Sequence, residues 1–267
     1  EGAGFVEAQD GWNVVASADE WFGPVEAKVG PDGALWVLDW YNFIIQHNPT
    51  PQGFDNGEGN AYIDPLRDNK RGRIYRLVHE DAKPSKGYNL DRSKPNTLIS
   101  ALKSDNMFWR TTAQRLLVEL GDKSVANDLY ALVKDRSVDQ VGVNGGAIHA
   151  LWTMHGLGLL DGSNQEAVDV ALGALNHPAS GVRRAAVQVL PSDNENVVNG
   201  LLSSNALQDE DFRVRLATLL KLADAQPSPA IGKAIYEAVQ VEENIQDKWL
   251  SHGLLIAGML NKASFTE

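Results

Sequence analysis

The fold is decided by two related segments, Val182-Arg-Arg-Ala-Ala-Val-Gln-Val-Leu190 and Val214-Arg-Leu-Ala-Thr-Leu-Leu-Lys-Leu222. Each places apolar residues at helical spacing, with a small alanine on the inner side where a neighbouring helix can approach closely. Three further segments share this pattern. The five anchor positions, which follow one another at offsets of 34, 39, 32 and 35 residues, are Arg110, Asn144, Arg183, Arg215 and Leu250. This period is typical of a solenoid of helical hairpins.

Each anchor is expected to open the first helix of a hairpin, and a second apolar-periodic stretch follows four of the anchors. These second helices are predicted at 124–134, 164–175, 195–202 and 228–241. The fifth unit has a first helix at 247–261 and nothing after it, whereas a solenoid normally ends in a polar capping repeat. We therefore expect the chain to be part of a longer array.

The first 80 residues differ in composition from the rest of the chain, because they hold 11 of the 20 aromatic residues. Strands are predicted at 25–29 and 34–40, joined by the turn Gly30-Pro-Asp-Gly33, with a third at 73–78 and a possible fourth at 12–16. Residues 81–95 are polar and rich in proline, which indicates a linker. The predicted fold class is α+β: a small antiparallel β segment (1–80), the linker, and an all-α HEAT-like solenoid (96–267) of about four and a half hairpins.

Composition excludes several classes of protein. With 24 Lys and Arg against 35 Asp and Glu, the net charge of −11 argues against nucleic acid as a partner. The chain has no cysteine, which removes disulfides, thiolate metal sites, cysteine nucleophiles and covalently attached haem. No apolar run approaches the ~20 residues that a membrane-spanning helix needs.

Four stretches carry a resemblance to a known family. They are Trp21-Phe-Gly-Pro-Val-Glu-Ala-Lys-Val-Gly-Pro-Asp-Gly-Ala-Leu-Trp-Val-Leu-Asp-Trp-Tyr-Asn42, Ile44-Ile-Gln-His47, Pro65-Leu-Arg-Asp68 and Gly72-Arg-Ile-Tyr-Arg76. Together they resemble the end of the membrane-bound dehydrogenase domain common in Planctomycetes, Verrucomicrobia and Bacteroidetes. That domain is a β-propeller similar to sorbosone and soluble glucose dehydrogenases. In the family, HEAT-type repeats follow the propeller, often with a c-type haem domain carrying Cys-x-x-Cys-His.

The resemblance implies that the three predicted strands belong to the last propeller blade. The parent protein would oxidise a sugar or related alcohol with pyrroloquinoline quinone (PQQ) and pass electrons to a c-type haem, in the periplasm or outside the cell. This chain lacks most blades and the haem motif. We therefore expect a scaffold without activity or cofactor of its own, whose partners are the remaining blades and the haem domain.

Two residues are candidates for acid–base chemistry. Asp39 ends a predicted strand and His47 lies in the following loop, and a carboxylate can orient an imidazole for general-base work. The alternative is structural, with Asp39 capping backbone amides in the turn and His47 packing against Trp40 or Tyr41.

The dense basic cluster Arg67-Asp-Asn-Lys-Arg-Gly-Arg73 is a candidate anion-binding site. Arg67, Arg71 and Arg73 would hold the carboxylate or phosphate of a substrate or cofactor through their guanidinium groups. The alternative is again structural: Arg67 pairs with Asp68, and Arg73 keeps an edge strand soluble.

No metal site is predicted. The loop Gly53-Phe-Asp-Asn-Gly-Glu-Gly-Asn60 has oxygen ligands but lacks the register of a calcium loop. His149 and His155 point about 240° apart on one helix and cannot share a metal. The arginines at helix starts are interpreted as a ladder between repeats, although a concave ligand surface is an alternative.

A second functional hypothesis is a free-standing protein-binding solenoid, for which the β segment is only a cap. The two hypotheses predict different behaviour of the strand edges. An excised blade would expose apolar edges and associate, whereas a cap would be monomeric. A third idea, a complete hydrolase or lyase site around Asp39, His47 and Arg67, would need a closed pocket within roughly 80 residues.

Overall fold

The computed structural model describes residues 2–5, 11–42 and 70–262. These residues form a three-stranded antiparallel sheet followed by a long helical region, which confirms the predicted α+β class. The chain divides into two compact units. The helical unit comprises residues 1–6, 88–105 and 109–267, and the β unit comprises residues 7–87 and 106–108.

The sheet has the order β1-β2-β3, with β1 at Pro24–Val29, β2 at Leu35–Asp39 and β3 at Arg73–Leu77. The predicted hairpin between β1 and β2 is confirmed. Its turn is closed by the Gly30 amide, which donates to the Ala34 carbonyl at 2.9 Å, and by Gly33, whose φ of 84° suits glycine. Asp32 accepts from the Ala34 amide at 3.1 Å and from the Trp36 indole at 3.1 Å.

The register sets which side chains share a face of the sheet. Val37 lies opposite Ala27 on one side and Tyr75 on the other, and it is buried. The opposite face carries Leu38 and Ile74, which are paired and are 43% and 65% exposed. One face of the sheet thus contains its few buried residues, and the other presents apolar side chains to solvent.

The possible fourth strand at 12–16 is wrong. These residues form bends and irregular backbone, and Trp12 and Val14 are 60% and 68% exposed. A strand needs a hydrogen-bonded neighbour, and the local β propensity that suggested this one does not supply a partner.

The helical unit is built from consecutive hairpins. Its helices are α1 Pro95–Ala101, α2 Met107–Leu120, α3 Ala126–Lys134, α4 Gly145–Gly156, α5 Gln165–Gly173, α6 Ser180–Val189, α7 Glu195–Ser203, α8 Phe212–Ala223, α9 Pro229–Val239, α10 Glu242–Gln246 and α11 Lys248–Leu260. Short 3₁₀ turns stand at Lys123–Val125, Ala174–Asn176 and Ala206–Gln208. The predicted first and second helices are confirmed, whereas α1 and the five-residue α10 were not anticipated.

Two layers of helices run along the array. In one layer α4 packs on α6, α6 on α8 and α8 on α11, and in the other α3 packs on α5, α5 on α7 and α7 on α9. Small residues allow the close approach, because a Cβ on Gly200 would lie 2.7 Å from Leu172 and one on Gly253 would lie 2.8 Å from Leu216. The arrangement is that of a helical-hairpin solenoid in its broad outline.

Side-chain caps explain where several helices begin. Asn144, Asn164 and Asn194 each accept a hydrogen bond from the third following amide, at 2.9, 3.2 and 3.2 Å, and so start α4, α5 and α7. The core between the layers is aliphatic; its largest fully buried side chains include Leu98, Leu117, Leu129, Leu151, Met154, Leu190, Leu201, Leu219, Leu222, Ile231 and Ile235. Among the described helices, none is long and apolar enough to cross a membrane.

Candidate functional site

Asp39 ends β2 and is only 3% exposed. Its Oδ1 accepts from the backbone amides of Gly23 and Tyr41, both at 2.8 Å, so the carboxylate caps the turn that follows the strand. Its Oδ2 is buried and finds no hydrogen-bond partner among the described residues. Asp39 therefore performs the structural role weighed above, and one of its oxygens remains unused by that role.

The turn after Asp39 holds Tyr41 in the left-handed region, with φ of 49°. A non-glycine residue in a sparsely populated backbone region costs about 1–3 kcal/mol, which the surrounding contacts must offset. Asp39 supplies one contact through the Tyr41 amide, and Trp21 supplies another, since its ring centroid lies 5.9 Å from that of Tyr41. The strained residue is thereby fixed beside the end of the sheet.

Arg73 lies directly opposite Asp39 in the β2–β3 pairing. Its guanidinium carbon stands 3.4 Å from the centroid of the Tyr41 ring, and its Nη1 donates to the Tyr75 hydroxyl at 3.2 Å. The same nitrogen is 3.4 Å from Oδ2 of Asp19. The hydrogen bond with Tyr75 is the main reason that the pKa of Arg73 is raised above its usual value.

These contacts make one small polar and aromatic cluster in the β unit, formed by Asp19, Trp21, Asp39, Tyr41, Arg73 and Tyr75. The arginine already has a carboxylate, a hydroxyl and a ring as neighbours, yet 44% of its side chain is exposed. The cluster can therefore hold a loop in place, and the free side of the guanidinium can still meet an anion. The motif pattern singled out Asp39 and Arg73 but gave no sign of Tyr41, whose role depends on its backbone conformation.

The other predicted site residues of this region are placed as follows. Arg71 is exposed in the loop before β3. His47, Arg67 and the oxygen-rich loop at 53–60 lie outside the described residues. The pairing of Asp39 with His47 and the joint anion site of Arg67, Arg71 and Arg73 thus stay predictions.

The recurring arginines of the helical unit form the expected ladder between repeats only in part, because Arg110 and Arg213 bind within their own repeat. Arg110 donates to the carbonyls of Ser104 and Asp105 at 2.6 and 2.9 Å. In the same way, Arg183 Nη1 donates to the carbonyls of His177 and Pro178, at 2.9 and 3.0 Å.

Two of the ladder arginines also reach the next repeat. Arg183 Nε donates to Asp209 at 2.7 Å, and Arg215 Nη1 lies 3.1 Å from Glu243. The charges are therefore engaged in fastening loops and repeats, as the structural interpretation predicts.

The two histidines of α4 have separate surroundings. His149 Nδ1 is hydrogen-bonded to Gln114 Oε1 at 2.7 Å, whereas His155 is exposed and meets the edge of the Trp152 ring. Burial first, and the charge of Arg110 second, lower the pKa of His149 to about 4. In the part of the chain that the structure describes, no cluster of three potential ligands that could hold a metal ion is found.

The resemblance implies two cofactors, PQQ and a c-type haem. The sequence allows a direct test of whether this chain could attach the haem. Covalent attachment needs two cysteines and a histidine, and the chain contains no cysteine. The residues present do not fit that group, so no step of any reaction is derived through a haem on this chain.

Comparison with protein-family models matches the first part of the chain. A family model described as a domain of unknown function (DUF7133) matches residues 1–81, which include all three strands and the cluster around Arg73. A search of the curated proteins finds nothing that matches. Over its first 81 residues the chain is thus similar to a family whose description assigns no function.

Proposed function

We propose that this chain is a scaffold region of a larger propeller dehydrogenase-like redox protein. The β unit would be part of the last propeller blade, and the helical unit would join the catalytic and electron-accepting parts. The observation that carries the proposal is the open sheet. Within the described residues, neither β1 nor β3 has a partner strand on its outer edge.

The two outer strands of the sheet, β1 and β3, are largely exposed. All six residues of β1 are exposed, and four of the five residues of β3 are exposed. Within the described residues, the outer edges of β1 and β3 have no partner strand and are a template for further pairing, and the exposed Leu38 and Ile74 offer an apolar face for packing. Additional strands of the same parent protein would satisfy these edges.

Among the described residues, the last helices of the array also present exposed apolar side chains, such as Leu255 and Met259. An apolar groove of about 610 Å³ is lined by α9, α10 and α11, including Val239, Ile245, Leu254, Leu255 and Met259. Because α3, α5, α7 and α9 form one continuous layer, the next position in that layer is where a second helix after α11 would pack. We propose an amphipathic helix of the following repeat as the occupant of the groove.

The chemistry of the parent is proposed from the resemblance alone. It would oxidise a sugar or alcohol with PQQ and pass the electrons to a c-type haem domain, in the periplasm or outside the cell. This chain would contribute no reacting group, and Asp39, His47 and the arginines at 67, 71 and 73 would contribute to the rim of the parent's site.

The test is to isolate the protein from its native source and determine its mass and both end sequences. We expect a polypeptide with further blade sequences before Glu1 and a Cys-x-x-Cys-His segment after Glu267. A native polypeptide that lacks both features would overturn the dehydrogenase proposal.

A free-standing protein-binding solenoid is the second candidate, because the helical unit has a continuous core of its own. The same measurement separates the two, since a native chain without further blades favours the binding module. Such a module would also be monomeric at concentrations where an incomplete blade associates.

A further inference from the structure

We infer that the first turn of α11, together with Phe212 at the start of α8, forms a docking site for a turn of small residues, and that residues 2–5 of this chain are its occupant. The segment Gly2-Ala-Gly-Phe5 and both helices belong to the helical unit. Nothing in the repeat pattern or the propeller resemblance calls for this contact.

The segment is held by a hydrogen bond and by burial. The Ala3 amide donates to Oδ2 of Asp247 at 3.1 Å, and Ala3 is only 6% exposed and belongs to the apolar core of the helical unit. A residue near the end of a segment seldom reaches such burial unless it is tied down. The contact spans 244 residues of sequence and so links distant parts of the chain.

The shape of the site selects the residues on either side of Ala3. Gly2 has φ of 63°, and a Cβ there would stand 1.9 Å from Oδ2 of Asp247. A Cβ on Gly4 would stand 2.1 Å from Nε1 of Trp249. The site therefore fits the sequence Gly-Ala-Gly, and a Cβ at either flanking position would force the side chain of Asp247 or Trp249 to move.

Asp247 performs two tasks with its two carboxylate oxygens. Oδ1 accepts from the amides of Trp249 and Leu250, at 3.0 and 2.9 Å, and caps α11. Oδ2 is left for Ala3. One residue thus starts the last helix and holds the segment, which couples docking to the order of the fifth repeat.

The chain segments before residue 7 and after residue 87 both belong to the helical unit. After the β unit the chain returns to the helical unit at Tyr88, whose ring packs 5.8 Å from that of Trp109. With residues 2–5 docked, the chain segments on both sides of the β unit are anchored in the helical repeats. Within the helical unit, the docked segment and Tyr88 lie at opposite ends of the repeat array.

The experiment is amide hydrogen exchange on the whole chain, read at Ala3 and at the first turn of α11. In Asp247→Asn the cap survives, because asparagine already caps α4, α5 and α7 in this protein, but the Oδ2 acceptor is lost. We expect the Ala3 amide to exchange at least about tenfold faster, as for one lost buried hydrogen bond. Gly2→Ala is expected to release the segment in the same way.

Two controls keep the outcome clear. Asp122→Asn is the control for Asp247→Asn, because Asp122 caps a turn elsewhere in the helical unit. Gly11→Ala is the control for Gly2→Ala, because Gly11 also has a positive φ, of 83°, and a Cβ there would have no neighbour within 4 Å. Both should leave Ala3 protected. An Ala3 amide that is unprotected in the unaltered chain, or equally protected in Asp247→Asn and Gly2→Ala, would overturn the inference.

Discussion

Arg183 and Asp209 form a two-pronged ion pair across successive repeats. Nε of Arg183 donates to one carboxylate oxygen at 2.7 Å and Nη2 donates to the other at 2.8 Å, while 10% and 8% of the two side chains are exposed. The guanidinium also binds the carbonyls of His177 and Pro178, so nearly all of its donors are used. The pair joins the start of α6 to the loop before α8.

Asp209→Ala is expected to lower the free energy of unfolding of the helical unit by up to about 3–5 kcal/mol. Arg183 would stay charged in a buried position, with the exposed Glu210 at 3.3 Å as its remaining carboxylate partner. The measurement is urea denaturation followed by far-ultraviolet circular dichroism. The double variant Arg183→Met, Asp209→Leu should lose less than Asp209→Ala alone, since it removes both charges.

Arg184→Ala, at the adjacent position, is the control for that series and should change stability by less than about 1 kcal/mol. If Asp209→Ala lowers the free energy of unfolding no more than Arg184→Ala does, the ion pair between Arg183 and Asp209 does not hold the repeats together.

The stability of the helical unit should depend on pH through His149. Its folded pKa is about 4 against an ordinary 6.5, so the unfolded chain binds a proton in the interval between them and the folded chain does not. Stability is therefore complete above pH 6.5 and falls on acidification towards pH 4, by at most about 1.4 kcal/mol per pH unit. Urea midpoints at pH 7, 6 and 5 measure the slope.

His149→Gln should flatten that slope between pH 7 and 5, since it removes the group that titrates on unfolding. His155→Gln, an exposed histidine on the same helix, should leave the slope unchanged. A slope that survives in His149→Gln would assign the pH dependence to other groups.

The helical array was largely predictable because its signals are local. The apolar period around Arg183 and Arg215 located α6 and α8, and the predicted helix starts at 164 and 195 lie within one residue of those of α5 and α7. The five residues of α10 are too few to show a period. Its place depends on Asn244, which is buried and donates to the Ala238 carbonyl at 2.9 Å, a contact that no spacing reveals.

The β unit was predictable only in part, because a strand and a site depend on distant partners. The turn residues at 30–33 specified the hairpin, but the largely apolar segment at 12–16 had the composition of a strand and formed none. The contact of Arg73 with Tyr41 depends on a left-handed φ that side-chain type does not indicate. The docking of Ala3 on Asp247 was likewise invisible, since it joins opposite ends of the sequence.

Asp39→Ala is expected to destabilise the β unit, because the amides of Gly23 and Tyr41 would lose their common acceptor in a buried place. Each stranded donor costs about 1–3 kcal/mol. Asp39→Asn keeps an acceptor at Oδ1 and should be far milder. Hydrogen exchange at the Tyr41 amide distinguishes them, and equal exchange in the two variants would contradict the capping role.

The exposed face of the sheet is the last feature with a direct test. Ile74 is 65% exposed on β3, and a lysine there should reduce association of the chain without loss of stability, because charged residues protect strand edges from pairing. Light scattering after size exclusion, over a range of protein concentrations, measures the effect. Val138, 46% exposed in the helical unit, provides the control variant Val138→Lys. A chain that is monomeric throughout, or that responds equally to both lysines, would remove the open sheet as the site of association and would favour the free-standing solenoid.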